Sequence, residues 1–138
     1  MGYLLDTCLL SEVWKPAPNP GVIGWLENAI EQQLFLSALT LGELRKGIGA
    51  LPDGRKKSAL LRDYVRIRGR FEGRVLAVDD LVAERWGELA AEARRAGKHL
   101  HVIDGLLAAT ALVHGLVLVT RNTTDFTSAP VPLEDPWS

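Results

Sequence analysis

Short apolar runs alternate along the chain with longer segments of helical periodicity. The short runs predict buried strands at residues 3–5, 34–37, 75–78 and 116–119. The longer segments predict helices at residues 11–14, 21–31, 55–71, 80–96 and 103–114, with another beginning near Thr40. Such alternation favours βαβ units. We therefore expect an α/β fold with a short central parallel sheet of four to five strands flanked by helices.

Local signals define where these helices begin and end. Gly97 and Gly115 are typical residues for the end of a helix. Thr40 is a candidate cap, with Glu43 three residues later at the spacing of a capping box. The tail after Asp125 is expected to be mostly loop with one short edge strand. No repeat or linker divides the chain, so residues 1–138 are expected to form a single domain.

The composition is that of a folded chain, because 47% of its 138 residues are hydrophobic. Cys8 is the only cysteine, so no disulfide framework is possible and a reducing cytoplasm is the expected compartment. The first residues lack the features of a signal peptide. Residues 102–119 are apolar enough to suggest a membrane span, but Asp104 makes a buried helix and strand the better interpretation.

Charge is distributed unevenly although the net charge is only −1. Residues 44–74 contain ten Lys or Arg against three acids, which leaves +7 in this segment and −8 in the rest. One lobe could therefore attract phosphate while another concentrates carboxylates. A solvated helix that simply carries arginines explains the same pattern, and both interpretations stay open here.

Four acids fall near the expected carboxyl ends of the strands, where open parallel α/β sheets bind ligands: Asp6, Glu43, Asp104 and Asp125. Asp6 is the strongest single signal, since an acid that ends an apolar strand is hard to explain by packing. Each of the others has a structural alternative. Glu43 fits a capping box, Asp104 fits a helix N-cap and Asp125 fits a turn.

Carboxylates gathered in this way repel one another unless they are protonated or bridged by cations. Oxygen ligands suit Mg²⁺ or Mn²⁺, which can activate water for attack on a phosphodiester. No set of Cys and His residues favours zinc, and His99 and His101 are expected to be surface or supporting residues. The chain has neither a phosphate-binding glycine loop nor a nucleophile elbow.

Four ordered motifs resemble those of PIN-domain ribonucleases, in particular the VapC-type toxins with their FitB-like branch. They are Leu-Leu-Asp-Thr at 4–7, Ser-Ala-Leu-Thr-Leu-Gly-Glu-Leu at 37–44, Asp-Gly-Leu-Leu-Ala-Ala-Thr-Ala at 104–111 and Thr-Arg-Asn-Thr-Thr-Asp-Phe at 120–126. The resemblance implies an Mg²⁺- or Mn²⁺-dependent endoribonuclease that cuts structured RNA such as tRNA or rRNA. It also implies a homodimer, and an antitoxin that covers the active site and alone contacts DNA.

The resemblance assigns roles to individual residues. The acidic metal-binding and catalytic positions match Asp6, Glu43, Asp104 and Asp125. Polar supporting positions match Thr7, Thr120 and Asn122. Independently of the resemblance, the basic segment suggests phosphate contacts from Arg45 and Lys46, together with Arg121 near the site.

Cys8 departs from the family pattern, in which Asn usually follows Asp-Thr. A thiol lacks the donors and acceptor of an amide and is a poor ligand for Mg²⁺. Activity could therefore be weakened, or Cys8 could simply pack at the start of a helix. Two further hypotheses accordingly stay open: a PIN-like module that binds RNA or protein without cleavage, and a phosphohydrolase acting on small phosphoesters.

Overall fold

A computed structural model describes residues 1–137 as an α/β fold with five strands and six α-helices. The strands are β1 Gly2–Leu5, β2 Leu34–Ser37, β3 Val75–Leu76, β4 Leu116–Val119 and β5 Leu133–Glu134. The helices are α1 Thr7–Val13, α2 Pro20–Asn28, α3 Ala38–Gly49, α4 Arg55–Arg70, α5 Asp80–Arg95 and α6 Val102–His114. Short 3₁₀ turns span Glu31–Gln33 and Thr123–Phe126. Within the described residues, no helix is both long and apolar enough to cross a membrane.

The strands form one parallel sheet in the order β3-β2-β1-β4-β5. This confirms the predicted parallel sheet and its short edge strand in the tail. Strand β1 is central, and in register Tyr3 lies between Leu34 of β2 and Val117 of β4. After β1 the chain first forms β2 and β3 on one side of it, and later forms β4 and β5 on the other side. The carboxyl end of β1 is therefore the topological switch point of the sheet.

An apolar layer covers each face of the sheet. Leu4 packs on the face that carries α5 and α6, while Leu5 packs on the face that carries α1 to α4. Both side chains are fully buried, as the alternation of side chains along a strand between two helical layers requires. Truncation of either leucine to alanine would cost about 2–5 kcal/mol. The sheet is thus a rigid platform for the residues at its edge.

Several helix starts differ from the sequence prediction because the caps are different residues. Helix α1 begins at Thr7, earlier than expected, because Asp6 caps it and accepts a hydrogen bond from the Thr7 backbone N–H. Helix α3 is capped by Ser37, whose hydroxyl accepts from the Leu39 N–H at 3.1 Å. The predicted cap, Thr40, instead lies fully buried inside this helix. The capping-box interpretation was therefore wrong.

Other boundaries also moved. Helix α2 covers Pro20–Asn28 rather than residues 21–31, since Asn19 caps its start and a 3₁₀ turn follows it. Strand β3 has two residues rather than four. Helix α5 begins as predicted, with the carboxylate of Asp79 accepting from the Val82 N–H at 3.0 Å.

Candidate active site

Asp6 lies at the switch point and both of its carboxylate oxygens are held. Oδ1 accepts from the Thr7 N–H at 2.7 Å, and Oδ2 accepts from the Thr120 hydroxyl at 2.8 Å. Asp6 is only 7% exposed, and Thr120, directly after β4, is fully buried. Hydrogen bonds to a charged group are strong and directional. The two adjacent strands therefore fix the orientation of this carboxylate.

Thr7 joins Asp6 to the next acid of the predicted set. Its hydroxyl donates to Oε1 of Glu43 at 2.6 Å, across the gap between α1 and α3. Because α3 starts at Ala38, Glu43 lies in its second turn rather than at a capping position. The structural alternative for Glu43 is therefore excluded, and its side chain lies beside the first turn of α1.

The third supporting residue, Asn122, reaches the site through its backbone. Its N–H donates to the Thr120 hydroxyl oxygen at 3.0 Å, while the residue itself is exposed. Thr120 thus donates to Asp6 and accepts from Asn122 at the same time. This pairing fixes the rotamer of Thr120 and the start of the loop that leads to Asp125.

Asp104 lies in the first turn of α6 but is not its N-cap. The cap position is His101, whose side chain makes no capping hydrogen bond. Burial raises the pKa of Asp104, and the charges of Asp125, Asp6 and Glu43 raise it further against the opposing effect of His101. All three of the other predicted acids therefore act on Asp104. The structure thus places the four acids within the range of charge–charge interaction at one edge of the sheet, without gathering them at one point.

Asp125 lies in the 3₁₀ turn after β4 and is exposed. The adjacent Phe126 is only 1% exposed and belongs to the core beneath α5 and α6. Burial of a phenylalanine is worth roughly 1.5–3 kcal/mol. Phe126 therefore anchors the turn and keeps Asp125 at the sheet edge.

Helix α6 approaches α5 closely where it carries Asp104. A Cβ on Gly105 would lie 2.7 Å from Cδ1 and 3.0 Å from Nε1 of Trp86. No larger residue fits between the two helices without displacement of the indole ring. This close approach sets the position of the first turn of α6 and so of Asp104.

The acids interact by charge without converging on a common point. Among residues 1–137, no three His, Cys, Asp or Glu side chains are close enough together to hold one metal ion. The donor set is nevertheless that of a hard cation, with four carboxylates and no zinc-type ligand group. Mutual repulsion at Asp104 is the kind of interaction that a bound divalent cation relieves. In donor chemistry, though not in spacing, the residues present therefore suit Mg²⁺ or Mn²⁺.

Cys8 lies against the carboxylate of Asp6. Its sulfur is 3.7 Å from Oδ2 of Asp6 and 3.8 Å from the hydroxyl of Thr120. Burial and the charge of Asp6 raise the pKa of this thiol to about 11, despite opposing hydrogen bonds from Thr120 and the Arg121 backbone. Cys8 is therefore a neutral thiol at pH 7, and it adds no thiolate to the donor set.

Of the three cations predicted to contact phosphate, Lys46 and Arg121 lie near the acids and Arg45 does not. Lys46 shares with Glu43 and Thr7 a cleft of about 660 Å³. Arg45 is directed elsewhere, with its guanidinium 5.5 Å from the ring centre of Tyr64 on α4. Arg121 is exposed and directly follows Thr120, so its backbone belongs to the sheet edge.

Three arginines of the basic segment are paired with acids. Arg70 and Arg74 both pair with Glu31, at 2.6 and 3.5 Å. Arg66 pairs with Asp63 at 3.1 Å. Exposed pairs of this kind contribute little to stability, but they reduce the positive potential of α4. These three arginines are therefore less available to an anionic ligand than the raw charge count suggests.

Sequence reasoning missed one buried acid, Glu12 on α1, which is 5% exposed. It accepts from Lys15 Nζ at 2.9 Å, from the Asn19 N–H at 2.9 Å and from Trp137 Nε1 at 3.2 Å. Hydrogen bonds from Lys15 first, and then from Asn19, lower its pKa to about 2. The only local signal was an acid placed three residues after the buried Leu9 in an amphipathic helix.

Comparison with known proteins agrees with this geometry. The PIN domain family model matches residues 3–131. Toxin FitB of Neisseria gonorrhoeae is 39% identical over 135 residues, covering 97% of each chain. VapC ribonuclease Y4jK of Sinorhizobium fredii is 36% identical over 138 residues, covering 97% of this chain and 96% of its own. In the structure of FitAB bound to the IR36 DNA fragment, a chain 37% identical superimposes with a TM-score of 0.94, covering 99% of this chain and 96% of that one. The chain belongs to the PIN-domain family, as its four motifs predicted.

Proposed function

We propose that this protein is the toxin of a type II toxin–antitoxin pair and acts as a metal-dependent endoribonuclease. The observation that carries the proposal is the arrangement at the sheet edge, where the Thr7 N–H and the Thr120 hydroxyl hold Asp6 and the Thr7 hydroxyl holds Glu43. Burial, and then the charges of Asp125, Asp6 and Glu43, raise the pKa of Asp104 at the same edge. Such concentrated negative charge is typical of a site for divalent cations. The similarity to a FitB toxin and a VapC ribonuclease supports the same conclusion.

The four carboxylates are proposed to hold Mg²⁺ or Mn²⁺. A bound cation of this kind supplies an activated water and stabilises the leaving oxygen of a phosphodiester. The chain's own residues prepare the site for it. Thr120 and the Thr7 backbone hold Asp6 in one orientation, and the Thr7 hydroxyl holds Glu43 beside it. Preorganised ligands avoid the cost of ordering them during binding.

We propose structured RNA, such as tRNA or rRNA, as the substrate. Lys46 beside Glu43 and Arg121 beside Thr120 are the cations suitably placed to bind backbone phosphates on either side of the acids. Arg45 is a weaker candidate because it stacks on Tyr64. With such a substrate, we propose that the protein acts in the cytoplasm.

The proposed partners are an antitoxin and a second copy of this chain. The cleft of about 660 Å³ beside Glu43 has a largely apolar lining that includes Val78 and Ile103. A peptide with apolar side chains and a basic residue directed at the acids would fit it, and would block RNA. Any contact with DNA is assigned to the antitoxin, in keeping with the FitAB complex.

The direct test is cleavage of labelled RNA by Asp6→Asn and Asp104→Asn in added Mg²⁺ or Mn²⁺. Each variant is expected to lose at least about 100-fold in rate, since even outer-shell partners of a metal are worth 10–100-fold. Asp53→Asn is the matched control, because the Asp53 side chain is fully exposed and pairs only with Lys57 on the surface. In calorimetric titration, Asp6→Asn and Asp104→Asn should bind Mn²⁺ more weakly than the wild type, whereas Asp53→Asn should bind it as tightly as the wild type. Undiminished cleavage by both would refute the proposal.

A second candidate is a module that binds RNA without cutting it, and Cys8 is the observation that favours it. Its thiol takes the place of the family's usual Asn beside Asp6, at 3.7 Å from Oδ2. RNA binding without any metal-dependent cleavage by the unmodified chain, with cleavage appearing in Cys8→Asn, would support this alternative. Turnover of a generic phosphoester without action on RNA would instead indicate a phosphohydrolase.

A further inference from the structure

The C-terminal segment is fastened to the sheet edge by contacts from several parts of the chain. Strand β5 pairs with β4, and the Thr120 N–H donates to the Glu134 carbonyl oxygen at 3.0 Å. The indole of Trp25 donates to the Glu134 carboxylate at 3.0 Å. The Pro136 carbonyl lies against Gly21 of α2, where a Cβ would collide with it. The segment therefore has a fixed course beside the acidic residues.

Trp137 ends this segment and is held at both of its nitrogens. Its backbone N–H donates to Asp135 Oδ1 at 2.9 Å, and its indole N–H donates to the buried Glu12 at 3.2 Å. Glu12 is in turn fixed by Lys15 and the Asn19 backbone. An indole held in this way cannot rotate freely about its side-chain bonds. Its ring presents a fixed surface to whatever lies next to it.

Arg121 lies over that ring, with its guanidinium carbon 5.9 Å from the ring centre. This distance is within the range of a cation–π interaction. The backbone of Arg121 directly follows Thr120, which donates to Asp6. With Lys15 and Trp137, Arg121 borders a cleft of about 330 Å³ that opens at the end of α1. An exposed arginine would otherwise lose much side-chain freedom upon binding a phosphate.

We propose that Trp137 and Glu12 are positioning residues that hold the Arg121 guanidinium where it binds a backbone phosphate of the RNA next to the scissile one. The inference rests on the proposed function, because it assumes that RNA crosses the carboxylate edge. Glu12 orients the indole, the indole orients the guanidinium, and the guanidinium binds the phosphate. The cleft between Arg121 and Lys15 is the path by which the strand leaves the acids.

The test is RNA affinity without metal, so that cleavage does not enter. Fluorescence anisotropy with labelled bulk tRNA in EDTA gives the Kd of the wild type, Trp137→Leu and Trp137→Phe. Leucine removes the aromatic face, and Kd is expected to rise about two- to fivefold, the equivalent of one exposed cation–π contact. Phenylalanine keeps an aromatic face but loses the indole N–H that donates to Glu12, so its Kd should lie between those of the wild type and Trp137→Leu. In cleavage assays the loss should appear in KM rather than kcat.

A double-mutant cycle with Arg121→Ala separates positioning from a general structural effect. If Trp137 acts through Arg121, Trp137→Leu should have no further effect on Kd in the Arg121→Ala background. The same fold-change in both backgrounds would overturn the proposal, as would an unchanged Kd in Trp137→Leu or an equal loss in Trp137→Phe. Circular dichroism establishes that each variant is folded.

If Trp137→Leu does not fold, fluorinated tryptophan provides a perturbation that preserves shape. Fluorine withdraws charge from the ring face and should weaken tRNA binding in the wild type but not in Arg121→Ala, which controls for the other three tryptophans. Equal effects in the two proteins would overturn the proposal. Because these measurements omit metal, failure of this inference is distinguishable from failure of the cleavage test on Asp6→Asn.

Discussion

Thr120→Val isolates the hydrogen bond that orients Asp6. Valine has nearly the shape of threonine, so the change removes the hydroxyl from a fully buried position without leaving a cavity. Oδ2 of Asp6 loses the donor at 2.8 Å, and the Asn122 N–H loses its acceptor at 3.0 Å. Asn122 is exposed and can bond to water, whereas Asp6 is only 7% exposed. The cost therefore falls mainly on the carboxylate.

A hydrogen bond to a charged group contributes about 1.5–3 kcal/mol, and this is the expected loss in the free energy of unfolding. Urea unfolding followed by circular dichroism in EDTA measures it. With an m-value of about 2 kcal/mol/M, the midpoint should fall by about 1 M. The measurement omits metal because a bound cation would add its own stabilisation.

The Asp6→Ala background provides the control. With the carboxylate gone, Thr120→Val should cost much less, and the difference between the two backgrounds gives the coupling energy of the pair. A loss below about 0.5 kcal/mol in the wild type would refute the reasoning, because that is the range of ordinary surface substitutions. An equal loss in both backgrounds would show that the hydroxyl stabilises something other than Asp6.

Gly105→Ala should lower the free energy of unfolding by up to about 2 kcal/mol, net of its helix-propensity gain, because its Cβ would lie 2.7 Å from the indole on α5. An unchanged urea midpoint would contradict that close packing. Gly21→Ala should destabilise by displacing the Pro136 carbonyl, whereas Gly24→Ala in the same helix has open space and should stabilise by about 0.5–1 kcal/mol. Equal midpoints for these two variants would count against the tail contact. For Glu12, a pKa lowered from 4.5 to about 2 means that its contribution is complete above pH 4.5 and is lost as pH falls toward 2. The stability advantage of the wild type over Glu12→Gln should shrink across that window, and a constant difference would refute the assignment.

The sequence predicted the type of each element better than its ends. Runs such as 34–37 and 116–119 are apolar enough to be assigned to a buried sheet whatever surrounds them. The first residue of each helix was harder to predict, because the residue that caps a helix depends on where the preceding strand ends. Ser37 ends β2 and can turn its hydroxyl to the Leu39 N–H, so it replaces Thr40 as the cap.

The site was predictable to the extent that its residues follow strands. Asp6 comes directly after β1, and the predicted order of elements brings it near the other acids. The position of Asp104 was not evident, because it depends on how closely α6 packs against α5 at Gly105. The hydrogen bond between Glu12 and Trp137 joins residues that are far apart in the sequence, and no local sequence pattern predicts it. Long-range contacts of polar side chains depend on the tertiary fold alone.

The strand order explains why acids from four separate segments affect one another. With β1 central, the residues that follow β2 and β4 must lie on either side of Asp6. The Thr120 hydroxyl, after β4, donates to Asp6, and the Thr7 hydroxyl donates to Glu43 on the other side. Thr7 links Asp6 to Glu43, while Thr120 links it to the loop that carries Asp125. The carboxylates themselves stay apart, and burial together with their repulsion raises the pKa of Asp104. The fold thus fixes Asp6 and Glu43 with neutral hydroxyl groups, which leaves their negative charge available to the proposed cation.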